Sequence, residues 1–158
     1  MARPTSRRWL LAMAGLCLAA VGAALVSQHV FGMQPCPWCI LQRLLFVVIA
    51  LVCLLAAAIG ARVVRRALAG IALLLAGCGI AAALWQNLVA AKSSSCSLTL
   101  ADKVLNALGV EALAPWLFQV TGSCADAAVS LAGLPYEFWS LGLFVVLGAM
   151  SLRPLARG

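Results

Sequence analysis

Charge is what this sequence lacks. Only 9% of its 158 residues are Asp, Glu, Lys or Arg, and just 4 of those are acidic. A soluble domain averages roughly a quarter charged residues, so the chain has too few to cover a water-facing surface. Disorder is excluded from the other side, because 65% of residues are hydrophobic and mean hydropathy is +1.10. Internal repeats and low-complexity segments are missing too, and the length is one domain's worth of chain. The net charge of +7 comes without a basic patch interleaved with aromatics, so nucleic acid is a poor partner. A clean small-x-small cleavage site is also missing after the first apolar run. The N-terminal stretch is therefore read as an uncleaved first span rather than a signal peptide. An integral membrane protein remains.

Four apolar segments are present, at about residues 9–29, 40–59, 67–91 and 136–154. A helix needs roughly 20 residues to cross the hydrocarbon layer, and lipid offers no partner to open backbone groups. The expected fold is all-α: one membrane domain, a four-transmembrane-helix bundle. The fourth span is short and is expected to draw on Leu134 and Leu155 or to thin the bilayer locally. Arg3, Arg7, Arg8, Arg62, Arg65, Arg66, Arg153 and Arg157 are eight of the eleven basic residues, and all lie on one side. The positive-inside rule puts both termini and the 62–66 turn in the cytoplasm. Segments of about 30–39 and 92–135 lie outside. Leu98, Leu105 and Leu108, with Val104, recur at near-helical spacing, and 114–120 is apolar around Trp116. Short helices on the membrane surface are expected there. Gly15, Ala19 and Ala23, like Gly79 and Ala83, stand four apart, a spacing that lets helices approach closely.

Seven cysteines are many for so short a chain. Cys17, Cys53 and Cys78 fall inside spans and read as small buried apolar side chains. Cys36, Cys39, Cys96 and Cys124 all fall outside, where an even count points to disulfides. Three pairings exist on paper. Cys36-Pro37-Trp38-Cys39 has the spacing of redox-active dithiols, which leaves Cys96 with Cys124, 28 positions apart. A staple between Cys96 and Cys124 would stabilise by about 3–4 kcal/mol in the chain-entropy model. The four-residue ring of Cys36 and Cys39 removes little chain entropy, so redox use explains it better. A four-cysteine zinc site usually needs two close pairs, and only one is close here.

Cys39 sits where the second span begins, at a helix N-terminus that favours a thiolate. Arg43 lies four residues on, about 6 Å deeper on the same face. A charge inside a span is a functional hypothesis by default, whereas snorkelling to the headgroups explains only how it is tolerated. A cation there suits both a thiolate and the polar head of a lipid-soluble acceptor. A dithiol gives up two electrons and a membrane quinone accepts two. Trp38 and Phe46 are candidates to pack on its ring.

These residues resemble the bacterial disulfide bond formation protein B family, the quinone-linked thiol oxidases of the inner membrane. The most specific element is Cys36-Pro37-Trp38-Cys39-Ile40-Leu41-Gln42-Arg43. Gly122-Ser123-Cys124-Ala125 and Leu134-Pro135 ahead of Trp139-Ser140-Leu141 support it, and the match covers nearly the whole chain. The resemblance implies a partner, a periplasmic thioredoxin-fold dithiol oxidase. Its thiolate attacks the Cys96–Cys124 disulfide at Cys96, and electrons pass to Cys36–Cys39. Cys39 then adds to, or pairs by charge transfer with, ubiquinone or menaquinone held near Arg43. Many relatives carry a basic residue or His near the outer end of span three. Trp85-Gln86-Asn87 stands there instead, so a second quinone contact is missing or taken over by Gln86 or Asn87. His29 is a further, weaker candidate. The second outer segment is short for the family. Two other readings compete. A carrier bringing reductant outward would need cysteines in the cytoplasmic segments, and there are none. A four-span scaffold with purely structural periplasmic disulfides leaves Arg43 and the adjacent pair without a reason.

Overall fold

Apolar runs of this length satisfy their own backbone groups by forming helices, and the long helices set the architecture. The structure is a computed structural model that describes residues 4–59, 61–92, 99–125, 127, 129–131 and 133–157. In chain order it has helices α1 (Pro4–His29), α2 (Pro37–Ala58) and α3 (Arg62–Leu88), then a 3-10 turn (Ala90–Lys92). Short helices α4 (Leu100–Leu108), α5 (Val110–Leu113) and α6 (Pro115–Phe118) follow. Two-residue strands β1 (Ser130–Leu131) and β2 (Leu134–Pro135) precede helix α7 (Tyr136–Arg157). Among the described residues, four stretches are long and apolar enough to cross a membrane: Ser6–His29, Pro37–Ala58, Arg62–Lys92 and Tyr136–Ala156. The chain is an all-α, four-span membrane bundle.

α1 packs on α2, α2 on α3, α3 on α7, and α7 returns to α1. The core they enclose contains Leu10, Met13, Cys17, Phe46, Ile49, Cys53, Phe144 and Leu147. Phe46 and Phe144 stack with ring centroids 4.2 Å apart and planes 5° from parallel. Gly79 makes that packing possible, since a Cβ there would run into the Phe144 ring. Leu18, Leu51 and Leu74 point outward, where lipid receives them without penalty.

Two expectations need correction. Gly15 and Ala19 are on the exposed face of α1, and nothing lies within 4 Å of a Cβ built on Gly15. In a chain this rich in alanine, four-residue spacings of small residues arise without marking an interface. Cys78 is also exposed on α3, whereas Cys17 and Cys53 are buried. A helix of a four-helix bundle turns most of its circumference to lipid, so a position inside a span need not be inside the bundle.

The short elements follow local rules. Thr99 caps α4 in a reciprocal box: its hydroxyl accepts from the Asp102 N–H, and an Asp102 carboxylate oxygen accepts from the Thr99 N–H. Gly109 ends that helix in the left-handed region, φ +60°. Pro115 opens α6. The β1–β2 hairpin pairs Ser130 with Pro135 and Leu131 with Leu134, and Gly133 in the turn has φ +81°. The composition-based reading did not foresee this hairpin. Leu134 belongs to it rather than to the fourth span.

Candidate functional site

The site is assembled at the first turn of α2. Cys36 is the extended N-cap residue (φ −86°, ψ 168°), with Pro37 as the first helical residue. Cys36 Sγ therefore accepts the open Cys39 N–H at 3.4 Å. The same turn brings Cys36 Sγ and Cys39 Sγ to 2.9 Å, as free thiols. A third sulfur joins them from the other outer segment. Cys124 packs with Cys36 and Trp38 in one buried cluster, with Cys39 against it. The two segments are clamped by backbone: Thr121 and Gly122 N–H both donate to Pro35 O, at 3.1 and 3.2 Å. Gly122 is required for that approach, because a Cβ there would meet Gln34 Cβ at 2.9 Å.

The three sulfurs are not equivalent. Cys36 is fully buried, and its contacts with Cys124 and then with Cys39, together with that burial, push its thiol far above the usual range. Cys124 is held below that range, first because it accepts from Cys36 and further because the Trp38 N–H points at it. Cys96 and its pairing with Cys124 lie outside the described residues.

Arg43 does not snorkel. It is 4% exposed, and its Nη1 donates to Gln28 Oε1 at 2.8 Å and to Leu117 O at 2.6 Å. It thereby joins α1, α2 and α6. Gln86 of α3 donates from Nε2 to Cys39 Sγ at 3.3 Å, and Gln42 Nε2 donates to Gln86 Oε1 at 2.7 Å. Asn87 turns away from the sulfurs and donates to Glu137 Oε1 at 2.8 Å. His29 Nε2 donates to Trp116 O at 3.2 Å, so it pins the end of α1 to α6.

Comparison with known proteins bears on this arrangement. A family model described as "Disulfide bond formation protein DsbB" matches residues 6–153. Disulfide bond formation protein B of Herminiimonas arsenicoxydans is 36% identical over 155 residues, 96% of this chain and 96% of that protein. The protein of the same name in Aromatoleum aromaticum is 32% identical, covering 97% and 94%. That in Pseudomonas syringae pv. tomato is 34% identical, covering 89% and 83%. The chain belongs to the DsbB family.

In this DsbB-family chain a cavity of about 260 Å³ opens beside Cys39, between α1, α2, α3 and α7. Its walls include Val21, Phe46 and Leu143, with Arg43, Gln86 and Glu137 among the polar lining. Trp38 is not part of it. That side chain packs instead with Cys36 and Cys124, 6.4 Å from the Trp85 ring. Among the described residues, Arg43 Nε and Glu137 Oε2 are buried without a hydrogen-bond partner. Both residues line the cavity, so it offers a bound group one free donor and one free acceptor within a mainly apolar wall. Gln42, Gln28 and Glu137 were not singled out from the sequence. The signal for Gln42 was available: a polar residue three positions after Cys39 shares its helical face.

Proposed function

We propose that this chain is an inner-membrane thiol:quinone oxidoreductase that reoxidises a periplasmic thioredoxin-fold dithiol oxidase. The carrying observation is the clustering of three cysteines, Cys124, Cys36 and Cys39, with the last of them on the wall of the Arg43 cavity. The basic residues gathered at the termini and at the 62–66 turn favour those parts on the cytoplasmic side.

The thiol steps balance as a relay. A partner thiolate attacks the Cys96–Cys124 disulfide at Cys96, and the partner's second thiol then displaces Cys96, leaving the partner oxidised. Cys124 thiolate next attacks Cys36 of the Cys36–Cys39 disulfide and frees Cys39 as a thiolate. Cys96 displaces Cys36, which restores Cys96–Cys124 and leaves Cys36 and Cys39 reduced. The Cys36–Cys124 contact supports this order, because exchange requires the attacking sulfur in line with the attacked bond. Trp38 N–H favours the thiolate of Cys124 at the moment it must attack.

Ubiquinone or menaquinone, when bound, supplies a two-electron, two-proton acceptor in the cavity beside Cys39. Arg43 Nε is the free donor for a ring oxygen, Glu137 Oε2 the free acceptor for a hydroxyl, and Phe46 and Leu143 supply apolar wall. The test is anaerobic: reduced partner is mixed with the purified protein, then ubiquinone or menaquinone is added and its reduction followed. Stoichiometric quinone reduction with partner oxidation is expected. Partner oxidation that stops at the two equivalents held by the protein's own disulfides, with either quinone present, would overturn the reading.

A further inference from the structure

Cys39 faces the cavity, and a directional hydrogen bond reaches its sulfur from outside its own helix: Gln86 Nε2 at 3.3 Å. Arg43 does not supply that contact. Its Nη1 is engaged by Gln28 and Leu117, and its Nε has no partner among the described residues. Gln86 is 2% exposed and Gln42 is 3% exposed. Two buried amides between transmembrane helices are not needed for packing, since apolar side chains of similar size would fill the space. What the amides add is direction. Gln42 N–H fills Gln86 Oε1 at 2.7 Å, so the Gln86 amide can present only its NH2 end to the sulfur. An N–H aimed at sulfur favours the charged over the protonated form. In a site screened from water that preference is strengthened. Being neutral, the amide brings no second charge beside Arg43.

We propose that Gln86 is a catalytic residue of the thiol chemistry, holding Cys39 as the thiolate that delivers electrons to the acceptor, and that Gln42 is the positioning residue that fixes the Gln86 amide. This rests on the thiol:quinone reading only for the identity of the acceptor. In the step served, Cys36–SH and Cys39–S⁻ join as a disulfide. They release two electrons and one proton to the acceptor, which takes its second proton from water. The Gln86 bond is strongest before the step, while sulfur carries charge, so it acts on the reduced site and keeps the nucleophilic form populated at the cavity.

The experiment uses the full-length chain, reduced, in a Cys36→Ala background so that Cys39 is the one thiol of its pair. The rate of Cys39 alkylation by iodoacetamide is followed against pH by peptide mass mapping. Gln86→Met, close in shape but without a donor, is expected to move the half-reactive pH upward by about one unit, roughly a tenfold loss of thiolate at a given lower pH. Gln42→Met is expected to move it part of the way. The double variant should match Gln86→Met alone, because Gln42 works only through Gln86. An unmoved profile in folded Gln86→Met overturns the proposal. If Gln86→Met does not fold, Gln42→Met decides, with a shift supporting the proposal and an unmoved profile overturning it. No quinone enters this measurement. A protein that passes it but reduces no quinone refutes the acceptor and leaves Gln86 in place, and the converse result does the opposite.

Discussion

Replacing Gly122 by alanine perturbs the clamp that brings Cys124 to Cys36, without touching either sulfur. The added methyl would stand 2.9 Å from Gln34 Cβ and 3.2 Å from Gln34 O. Carbon pairs rest at about 3.5–4.0 Å, so the segments must part by roughly half an ångström to one ångström. Gln34 cannot yield by rotating a flexible tip, because its Cβ and backbone are what the methyl meets. Overpacking of this kind costs about 1–3 kcal/mol. It is relieved by lengthening the two N–H bonds to Pro35 O, now 3.1 and 3.2 Å. Displacement of reacting atoms by about 1 Å lowers rates by up to about 100-fold. Gly122→Ala should therefore slow transfer from Cys124 to Cys36 roughly ten- to a hundredfold. Reoxidation of Cys36 and Cys39 by added quinone, downstream of the clamp, should stay near the parent rate. Rapid acid quench, alkylation and mass mapping separate the two steps. Gly142→Ala is the control, since nothing lies within 4 Å of a Cβ there. If Gly122→Ala passes electrons to Cys36 as fast as the parent, the backbone approach does not govern the relay and the reasoning fails.

Arg43→Ala is expected to weaken apparent quinone affinity about ten- to a hundredfold, the loss of roughly 1.5–3 kcal/mol from a charge-assisted contact. Partner oxidation should suffer less, and Arg43→Lys should recover only part, because it lacks the planar fork that serves Gln28 and Leu117 while leaving Nε free. Replacing Cys17, Cys53 and Cys78 together by alanine should leave turnover per folded molecule nearly unchanged, as none of them is among the three clustered sulfurs. Thermal unfolding should register lost packing at buried Cys17 and Cys53 but not at exposed Cys78. In the fully reduced protein Cys124 should alkylate at lower pH than Cys36. The hydrogen bond from Cys36 holds Cys124 below the ordinary thiol range and pushes Cys36 above it. A pH-resolved alkylation map with the reverse order would contradict the assigned donor and acceptor.

What the sequence determined by itself is whatever short-range geometry controls. Hydropathy identifies four spans because any long apolar segment in lipid must close its own hydrogen bonds as a helix. The Cys-Pro-Trp-Cys turn is legible for the same reason. Pro37 opens a helix, so the sulfurs three positions apart meet across its first turn, and Arg43 follows on the same face by helical periodicity. Only the tertiary structure decided which faces of the spans look inward. It turned the Gly15–Ala19 stripe outward and exposed Cys78 on α3. It also brought together residues far apart in the chain: Cys124 with Cys36, Gln86 with Cys39, Asn87 with Glu137, His29 with the Trp116 carbonyl. Periodicity gives each helix its own faces but not its rotation or depth relative to its neighbours. Those are set by packing such as Gly79 under Phe144 and by the Gly122–Pro35 clamp. A polar side chain in an apolar span announces that it needs a partner, and the assembled bundle alone determines which partner it meets.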